Sequence, residues 1–375
     1  MKVCIDTRKI EPGDYFIPIK GAHYDGHDFT HEAIQKGGRV LDVDLTSYAK
    51  RYRKKLTCPI IAITGSAGKT TTKDLLASIL SQKFKVAKTH ENENNEIGVP
   101  LTLLQTEFDD DVLIVEMGMR HAGEIRALTS IVRPTHVIIT CIGLSHIELL
   151  GSQKKIAQVK SEIFQKKLLW ETQPRYAFLP YSSPFYPFLN KKAQKLGYTS
   201  LPFDGPTKID QSVNLCYSVA RNFGLTDEEI RQGITSFQSS SHRLKITTAS
   251  TLTVIDDSYN ANPDGVVFAL EYIKRFSGRK ILILGDMLEL GTQSKEAHQN
   301  LLESVLDADI SLWITCGYWG QFIACSSPTH LHFSTKDALH AYLRSELKKD
   351  DVILVKGSRG TKMEETVAFI QHHTT

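Results

Sequence analysis

The stretch that decides the fold of this chain is Pro59-Ile60-Ile61-Ala62-Ile63-Thr64-Gly65-Ser66-Ala67-Gly68-Lys69-Thr70-Thr71. It opens with a short β-branched run, which predicts a buried strand. A turn with two glycines follows, and we expect a helix from about Lys69 to Gln82. A strand, a glycine turn and a helix in this order direct free backbone N–H groups at an anion. The stretch therefore predicts a phosphate-binding loop in an α/β protein.

Individual residues of this loop have separate expected tasks. Lys69 can reach the β- and γ-phosphates of a nucleotide, and the Thr70 hydroxyl can ligate Mg²⁺. Ile63 stands where the strict G-x-x-x-x-G-K-[ST] pattern has its first glycine. A chance glycine-rich turn is the alternative, but G-K-T-T directly after a β-branched strand argues against it. The expected nucleotide contacts here are Gly65, Ser66, Ala67, Gly68, Lys69, Thr70 and Thr71.

The rest of the chain divides into three blocks, which we predict to be domains at residues 1–57, 58–243 and 244–375. The first block is rich in turn residues, and the other two alternate apolar runs with helical patterns. This alternation predicts parallel sheets covered on both faces. We expect a small α/β amino-terminal domain, a central parallel-sheet domain with the phosphate loop, and a Rossmann-like carboxy-terminal domain. Further predicted strands are Val112–Glu116, His136–Thr140, Leu252–Asp257, Lys280–Gly285, Ser311–Thr315 and Asp351–Val355.

Composition excludes several classes of protein. The hydrophobic fraction of 41% and the charged fraction of 23% are typical of a globular protein. A net charge of +3 does not indicate a nucleic-acid partner, and we interpret the basic run Lys50–Lys55 as a solvated helix face. No apolar run approaches the roughly 20 residues of a membrane span, and the charged start is not a signal peptide. The six cysteines lack zinc-ligand spacing, which predicts free thiols and a cytoplasmic location.

Several strings outside the phosphate loop carry a resemblance to a known family. They are Asp6–Lys9, Asn92–Pro100, Asp256–Pro263, Gly285–Gly291 and Lys356–Arg359. Together with the loop, they resemble the Mur ligases, and Asp-Asp-Ser-Tyr-Asn-Ala-Asn-Pro resembles the branch that adds a dipeptide. The resemblance implies an ATP-dependent ligase that takes a UDP-muramoyl-peptide and D-Ala-D-Ala as small-molecule substrates. It also implies ATP and two Mg²⁺ ions, a uridine-nucleotide-binding first domain, a monomer, and neither nucleic-acid binding nor membrane insertion.

The same resemblance implies roles for single residues. Lys69 matches the phosphate-loop lysine, Glu116 the Mg²⁺-binding glutamate and His146 a histidine near the second metal. Lys160 matches a lysine that the family carbamylates, and Arg243 matches an arginine that contacts ATP phosphate across the domain junction. The implied metal ligands are Thr70, Glu116, His146 and Lys160 as its carbamate. The implied further nucleotide contacts are Asn214 and Asp257, and the implied substrate contacts are Thr7, Arg8, Asn92, Asn94, Asn95, Asn260, Asn262 and Arg359.

The chemistry of amide formation explains these residue types. A carboxylate lacks a good leaving group, and transfer of the γ-phosphoryl group supplies one. Negative charge then accumulates between two anions, so Mg²⁺ on Glu116 and the cations Lys69 and Arg243 must gather there. A surface acid is the alternative interpretation of Glu116, but the carboxyl end of a parallel strand favours function.

The chain departs from the family in its substrate-facing parts more than in its nucleotide machinery. The first domain lacks a strand pair near Gly38-Arg39, and the segment from Phe164 to Gln211 is short. Asp210-Gln211 replaces the usual His-Asn upstream of Asn214, and His242 replaces glycine before Arg243. Two alternatives therefore stay open: a paralogue with another acceptor, such as a polyglutamyl chain, or a degenerate nucleotide-binding scaffold.

Overall fold

A computed structural model describes residues 2–21, 23–323 and 329–373 of the chain. In these ranges the strands form three sheets, and each sheet comes from one continuous part of the sequence. Within the same ranges, none of the helices has the length and apolar character that a bilayer span needs. Five cysteines there are free thiols, and Cys325 lies outside the described residues.

The first sheet is small. It has three parallel two-residue strands in the order β1-β2-β3. A side-chain cap from Asp44 to the Ser47 N–H (2.7 Å) starts the second helix. The elements are β1 Val3–Cys4, β2 Tyr15–Phe16, α1 Thr30–Gln35, β3 Arg39–Val40 and α2 Leu45–Arg53.

The central sheet has six strands, all parallel, in the order β5-β6-β4-β7-β8-β9. Its strands are β4 Ile60–Thr64, β5 Val86–Lys88, β6 Val112–Glu116, β7 His136–Ile139, β8 Tyr176–Pro180 and β9 Thr199–Phe203. Its helices are α3 Lys69–Leu80, α4 Gly98–Gln105, α5 Glu124–Val132, α6 Ile147–Leu150, α7 Gln153–Lys160, α8 Tyr186–Lys195, α9 Lys208–Asn222 and α10 Asp227–Thr235. Apolar side chains of β4, β6 and β7 are buried on both faces, as the continuous β-branched runs predict.

Strand order in this sheet determines where a ligand can bind. From β4 the chain runs to β5 and back to β6 on one side, and it then crosses to β7 on the other side, so the order reverses at β4. Ligands of open α/β sheets bind outside the carboxyl ends of the strands at such a reversal. The phosphate loop follows β4 and therefore lies in that crevice.

The third sheet also has six strands, in the order β10-β11-β15-β12-β13-β14. Only the β10–β11 pair is antiparallel in the described residues. The strands are β10 Lys245–Ala249, β11 Leu252–Asp257, β12 Lys280–Gly285, β13 Leu312–Cys316, β14 His330–Phe333 and β15 Val352–Lys356. The helices are α11 Pro263–Ile273, α12 Ser294–Gln299, α13 Leu301–Asp307, α14 Lys336–Glu346 and α15 Glu364–His373. The architecture is the expected α/β arrangement, and the six further strands that the sequence predicts all form.

Candidate functional site

The phosphate loop has the backbone shape that its glycines predict. Gly68 caps α3 with φ of +76°, a left-handed conformation, and offers no side chain to the helix N-terminus. A Cβ at Gly65 would lie 1.8 Å from Thr140 Oγ1 on the neighbouring connection. Both positions therefore require glycine, and the first-turn N–H groups of α3 stay open toward the crevice.

Two lysines converge on one carbonyl oxygen of this loop. Lys69 Nζ and Lys160 Nζ each donate to the oxygen of Gly65, both at 2.9 Å. Burial lowers the pKa of the Lys160 ammonium well below its usual value, and the neighbouring Lys69 lowers it further. Burial likewise lowers the pKa of Lys69, while Glu116 opposes that shift. Two ammonium groups on one oxygen repel each other, so the geometry favours a neutral amine at one of them.

Glu116 lies beside the phosphate loop and binds two side chains there. Thr70 Oγ1 donates to its Oε2 at 2.7 Å, and Asn94 Nδ2 donates to its Oε1 at 2.8 Å. The carboxylate lies at the end of β6. Because β6 pairs in parallel with β4, its end lies beside the end of β4, and this brings Glu116 to the first turn of α3. A hydroxyl and a carboxylate oxygen beside a phosphate loop are hard ligands of the kind that Mg²⁺ prefers. These two residues therefore fit the ion that the resemblance implies.

Lys73 is a residue of this site that the sequence analysis missed. It is only 1% exposed, and its Nζ donates to the Glu91 carbonyl at 2.6 Å. The same nitrogen lies 3.7 Å from Asp74 Oδ1 and 3.9 Å from Glu116 Oε2. A lysine one helical turn after Lys69, on the same face of α3, was the available signal. Lys73 thus ties the phosphate-binding helix to the loop that carries Asn94.

The opposite wall of the crevice comes from the end of β11 and the turn after it. Burial raises the pKa of the Asp257 carboxyl, and its ion pair with Lys356 Nζ opposes that shift. The guanidinium of Arg243 stacks on the Tyr259 ring at 4.1 Å from its centroid. Asn262 caps α11 by accepting from the Gly265 N–H at 2.9 Å. Because its oxygen serves as the cap, its amide nitrogen is free to face the phosphate loop.

Several polar contacts join the two walls, among them the hydrogen bond from the Ile209 N–H to Glu271 Oε2 at 3.1 Å. Asn262 Nδ2 donates to the carbonyl of Ser66 at 3.3 Å, and Asn92 Nδ2 donates to the Tyr259 hydroxyl at 2.6 Å. His146 Nδ1 lies 2.9 Å from Glu289 Oε2, and the imidazole lowers the pKa of that carboxyl. The structure therefore holds the central and carboxy-terminal sheets in a closed arrangement.

Between the walls lies a cleft of about 1200 Å³. This is larger than the roughly 300–1000 Å³ of a typical small-molecule pocket, so it has room for a nucleotide together with part of a second substrate. Most of the predicted residues line it: Ser66, Ala67, Gly68, Lys69, Thr70, Thr71, Asn92, Asn94, Asn95, Glu116, His146, Lys160, Arg243, Asp257, Asn260, Asn262 and Arg359. Gly65 is absent from the lining, although its carbonyl holds the two lysines.

Asn214 does not line the cleft. Its Nδ2 donates to the Asp204 carbonyl at 2.7 Å, and Gln211, Ser212 and Leu215 of the same helix face the cleft instead. Successive helix residues are rotated by about 100°, which turns position 214 away from this face. The placement does not support an adenine contact at Asn214 and makes Gln211 and Ser212 the better candidates on α9.

Thr7 and Arg8 do not line the cleft either. Thr7 is buried in the first domain, and its carbonyl accepts a hydrogen bond from Lys36 Nζ at 3.1 Å. Arg8 is exposed, and its guanidinium pairs with both oxygens of Asp6 (2.7 and 2.9 Å). The cleft between the second and third sheets is thus separate from the residues expected to contact the uridine nucleotide.

The second metal site that the resemblance implies would use His146 and Lys160, and Lys160 is not a metal ligand while it is an amine. Among the described residues, no cluster of three or more His, Cys, Asp or Glu side chains could hold a metal. His146 Nδ1 is buried and has no hydrogen-bond partner apart from its approach to Glu289. Lys160 as an amine has no oxygen to offer, so a second Mg²⁺ would need the carbamate form of that side chain.

Comparison with known families covers nearly the whole chain. Residues 2–92 match the profile described as "Mur ligase family, catalytic domain". Residues 63–249 match "Mur ligase middle domain", and residues 242–359 match "Mur ligase, glutamate ligase domain". In the structural comparison, MurF from Acinetobacter baumannii superposes with a TM-score of 0.85 at 24% identity, covering 99% of this chain and 93% of that one. MurF from Thermotoga maritima in complex with ADP gives 0.83 at 23%, covering 100% and 97%.

Curated relatives agree with the profiles. The UDP-N-acetylmuramoyl-tripeptide–D-alanyl-D-alanine ligase of Bacillus subtilis is 31% identical over an alignment that covers 97% of this chain and 92% of that protein. The Escherichia coli enzyme of the same name is 30% identical, covering 100% and 94%. The first alignment extends over 423 positions, more than the 375 residues of the chain, so that protein has internal segments that this chain lacks. With full-length identity at this level and profile matches from residue 2 to residue 359, the chain belongs to the Mur ligase family.

Proposed function

We propose that this chain is an ATP-dependent amide ligase that joins D-Ala-D-Ala to a UDP-N-acetylmuramoyl-tripeptide in peptidoglycan precursor synthesis. One observation carries the proposal. The turn 259–262 touches the phosphate loop through Asn262 and the loop 92–95 through Tyr259. A nucleotide on the phosphate loop and an acceptor on loop 92–95 would therefore meet against the same turn, as transfer between them requires. The curated relatives with this name support the choice of substrates.

The first chemical step is transfer of the γ-phosphoryl group to the tripeptide carboxylate, which releases ADP and leaves an acyl-phosphate. In this step Lys69 leaves the Gly65 carbonyl for the nucleotide phosphates, and Arg243 reaches them from the other wall. Thr70 and Glu116 would hold Mg²⁺, which supplies positive charge to the phosphate oxygens. Removal of one comparable electrostatic donor costs about 10²- to 10³-fold in rate.

The second step is attack on the acyl-phosphate by the neutral amine of the dipeptide, which forms the amide and releases phosphate and a proton. We assign substrate binding to the side-chain amides of loop 92–95 and turn 259–262, and to Arg359, which also lines the cleft. Closure of the two walls excludes water, which would otherwise hydrolyse the acyl-phosphate.

Thr7 and Arg8 keep a proposed role in binding the uridine nucleotide in the first domain, away from the cleft. We assign the enzyme to the cytoplasm as a monomer.

Lys160 completes the proposed site as a carbamate. Its neutral amine would add to the carbon of CO₂ and lose a proton, so a neutral group becomes an anion with two oxygens. That anion would attract the ammonium of Lys69. The new oxygens, with His146, would then hold a second Mg²⁺.

The test is a phosphate-release and product assay with ATP and Mg²⁺. Turnover that requires both UDP-muramoyl-tripeptide and D-Ala-D-Ala, and that yields the pentapeptide product, is the expected result. Lys69→Ala should lower the rate about 10²- to 10³-fold and leave the fold intact. Turnover with a polyglutamyl acceptor instead would replace this function by that of a paralogue. Nucleotide binding without turnover on any acceptor would leave only a scaffold.

A further inference from the structure

An apolar tip projects from the connection between α7 and β8. It consists of Leu168, Leu169 and Trp170, which are 44%, 106% and 41% exposed. Three consecutive large apolar side chains in solvent are unusual, because exposed apolar residues of a folded protein are normally scattered singly. The tip belongs to neither the cleft nor the phosphate loop.

A network of hydrogen bonds holds the tip in place. Arg133 donates to Glu171 Oε1 and to the Lys166 carbonyl, both at 2.7 Å. Glu171 Oε2 accepts from the Leu168 N–H, also at 2.7 Å, which closes the turn. Gln173 Nε2 fixes the far side of the connection to the Thr57 carbonyl at 2.7 Å. The exposed leucines are therefore presented by an ordered turn.

Four exposed lysines belong to the segments that form this surface. Lys166 and Lys167 precede it directly and are exposed. Lys54 and Lys55 are also exposed, and they end the basic run beside Thr57. Arg53 of the same run is buried and lies 5.7 Å from the centre of the Trp170 ring. The sequence predicts a solvated helix face for this run, and in the structure Arg53 departs from that expectation by packing against the apolar tip.

Acidic groups near this surface already have partners. Glu171 is paired with Arg133 within the turn. Glu107, Asp109 and Asp110 share the Lys85 ammonium at 2.5, 2.9 and 3.6 Å, and Asp111 accepts from the Lys85 backbone N–H at 2.8 Å. The charge of the tip's own surface comes from the exposed lysines Lys54, Lys55, Lys166 and Lys167, and the acid within it, Glu171, is neutralised by Arg133.

The tip lies at the edge of the central sheet opposite the cleft. The connections that form it end at the starts of strands β4, β7 and β8. The strands are parallel, and the phosphate loop and Glu116 lie at their carboxyl ends. A partner on the tip would therefore leave the cleft open to substrates.

We propose that the surface formed by Leu168, Leu169 and Trp170 with Lys54, Lys55, Lys166 and Lys167 docks the enzyme on an anionic lipid bilayer. A convex apolar tip suits insertion between headgroups, where tryptophan is favoured at the boundary with water. The lysines match the negative surface of such a bilayer, and each contributes about fivefold to binding near the surface. This docking is peripheral, and it does not rest on the identity of the ligase substrates.

The test uses the full chain in co-sedimentation with vesicles. Binding is expected to vesicles of phosphatidylglycerol and phosphatidylcholine, to weaken with salt, and to be much weaker on phosphatidylcholine alone. Leu169→Asp should abolish binding, and replacing the four lysines by glutamine should lower it about 100-fold or more. Each variant should keep full ligase activity in solution, which shows that it folds.

Matched controls lie in the carboxy-terminal domain. Leu306 is another exposed leucine, at 64%, and Lys348 and Lys349 are adjacent exposed lysines. Leu306→Asp and Lys348→Gln with Lys349→Gln should leave vesicle binding unchanged. Failure of the unmodified chain to bind anionic vesicles would overturn the proposal, as would binding that Leu169→Asp does not reduce. Self-association that depends on Leu169 and that no vesicle displaces would show instead that the tip contacts a second copy of the chain.

Discussion

At the scale of single residues, Lys160 gives the sharpest prediction. Its amine and that of Lys69 contact the same carbonyl oxygen, and burial disfavours the ammonium form of Lys160. An ordinary surface lysine would have neither property. Lys160→Ala should therefore abolish ligation, and acetate or another short carboxylate should restore part of the activity by supplying the missing oxygens.

A suitable control for this prediction is Lys192→Ala. Lys192 Nζ donates to Ser161 Oγ at 2.8 Å, directly beside Lys160 in sequence, but Lys192 does not line the cleft. Its loss should leave ligation nearly unchanged and should show no response to acetate. Normal activity of Lys160→Ala, or a loss of activity that no carboxylate relieves, would contradict the carbamate. Mass spectrometry under CO₂ provides an independent measurement of the added group.

At the scale of elements, helix α3 connects the phosphate loop to the loop that carries Asn94. Lys69 at its start donates to the Gly65 carbonyl at 2.9 Å, where we propose that the nucleotide binds, and Lys73 one turn later donates to the Glu91 carbonyl at 2.6 Å. A hydrogen bond to a charged group contributes about 1.5–3 kcal/mol. Lys73→Met should therefore lower kcat/KM for the UDP-muramoyl-tripeptide about 10- to 100-fold, chiefly through KM, while the KM for ATP changes little.

Lys88→Met is the matched control for Lys73. Lys88 Nζ donates to Asp74 Oδ1 at 2.7 Å, so both lysines act on the same carboxylate, but only Lys73 reaches the loop. An equal effect of the two variants would show that Asp74, and not the loop, is what matters. Thermal melting of both proteins separates a local loss of positioning from unfolding.

The same elements show what could be predicted from the sequence. The strand, turn and helix around Gly68 follow from local patterns, because β-branched runs and glycines restrict the backbone directly. Lys73 and Glu289 were missed because their significance depends on partners 18 and more than a hundred residues away in the chain. Asn214, which the resemblance alone implies as a nucleotide contact, lies outside the cleft lining. The upstream residues Asp210-Gln211 differ from the family's pattern, so the spacing to that motif does not fix which face of α9 turns toward the cleft.

At the scale of the whole molecule, the closed cleft predicts a hinge. The hydrogen bonds and ion pairs that join the walls are partly exposed, and domains joined by contacts of this kind commonly move relative to one another. The chain crosses between the walls at residues 236–244, where His242 and Leu244 have φ of 60° and 53°. Substrates must enter the cleft while it is more open than in this structure, so the enzyme without ligands should adopt a more open form. We therefore expect small-angle scattering of the free enzyme to show a larger radius of gyration than the closed structure.

A non-hydrolysable ATP analogue with the tripeptide should then shift the scattering curve to that of the closed structure, because the ligands contact both walls. Asn262→Ala and Glu289→Gln each remove one contact across the cleft and should raise the ligand concentration needed for closure by a few-fold, as expected for partly exposed polar contacts. Glu303→Gln, on the exposed face of α13, should change nothing. Scattering curves that are identical with and without ligands would mean that the walls do not move. Substrates would then enter through the open side of the cleft, and the contacts of Asn262 and Glu289 across the cleft would have no part in closure.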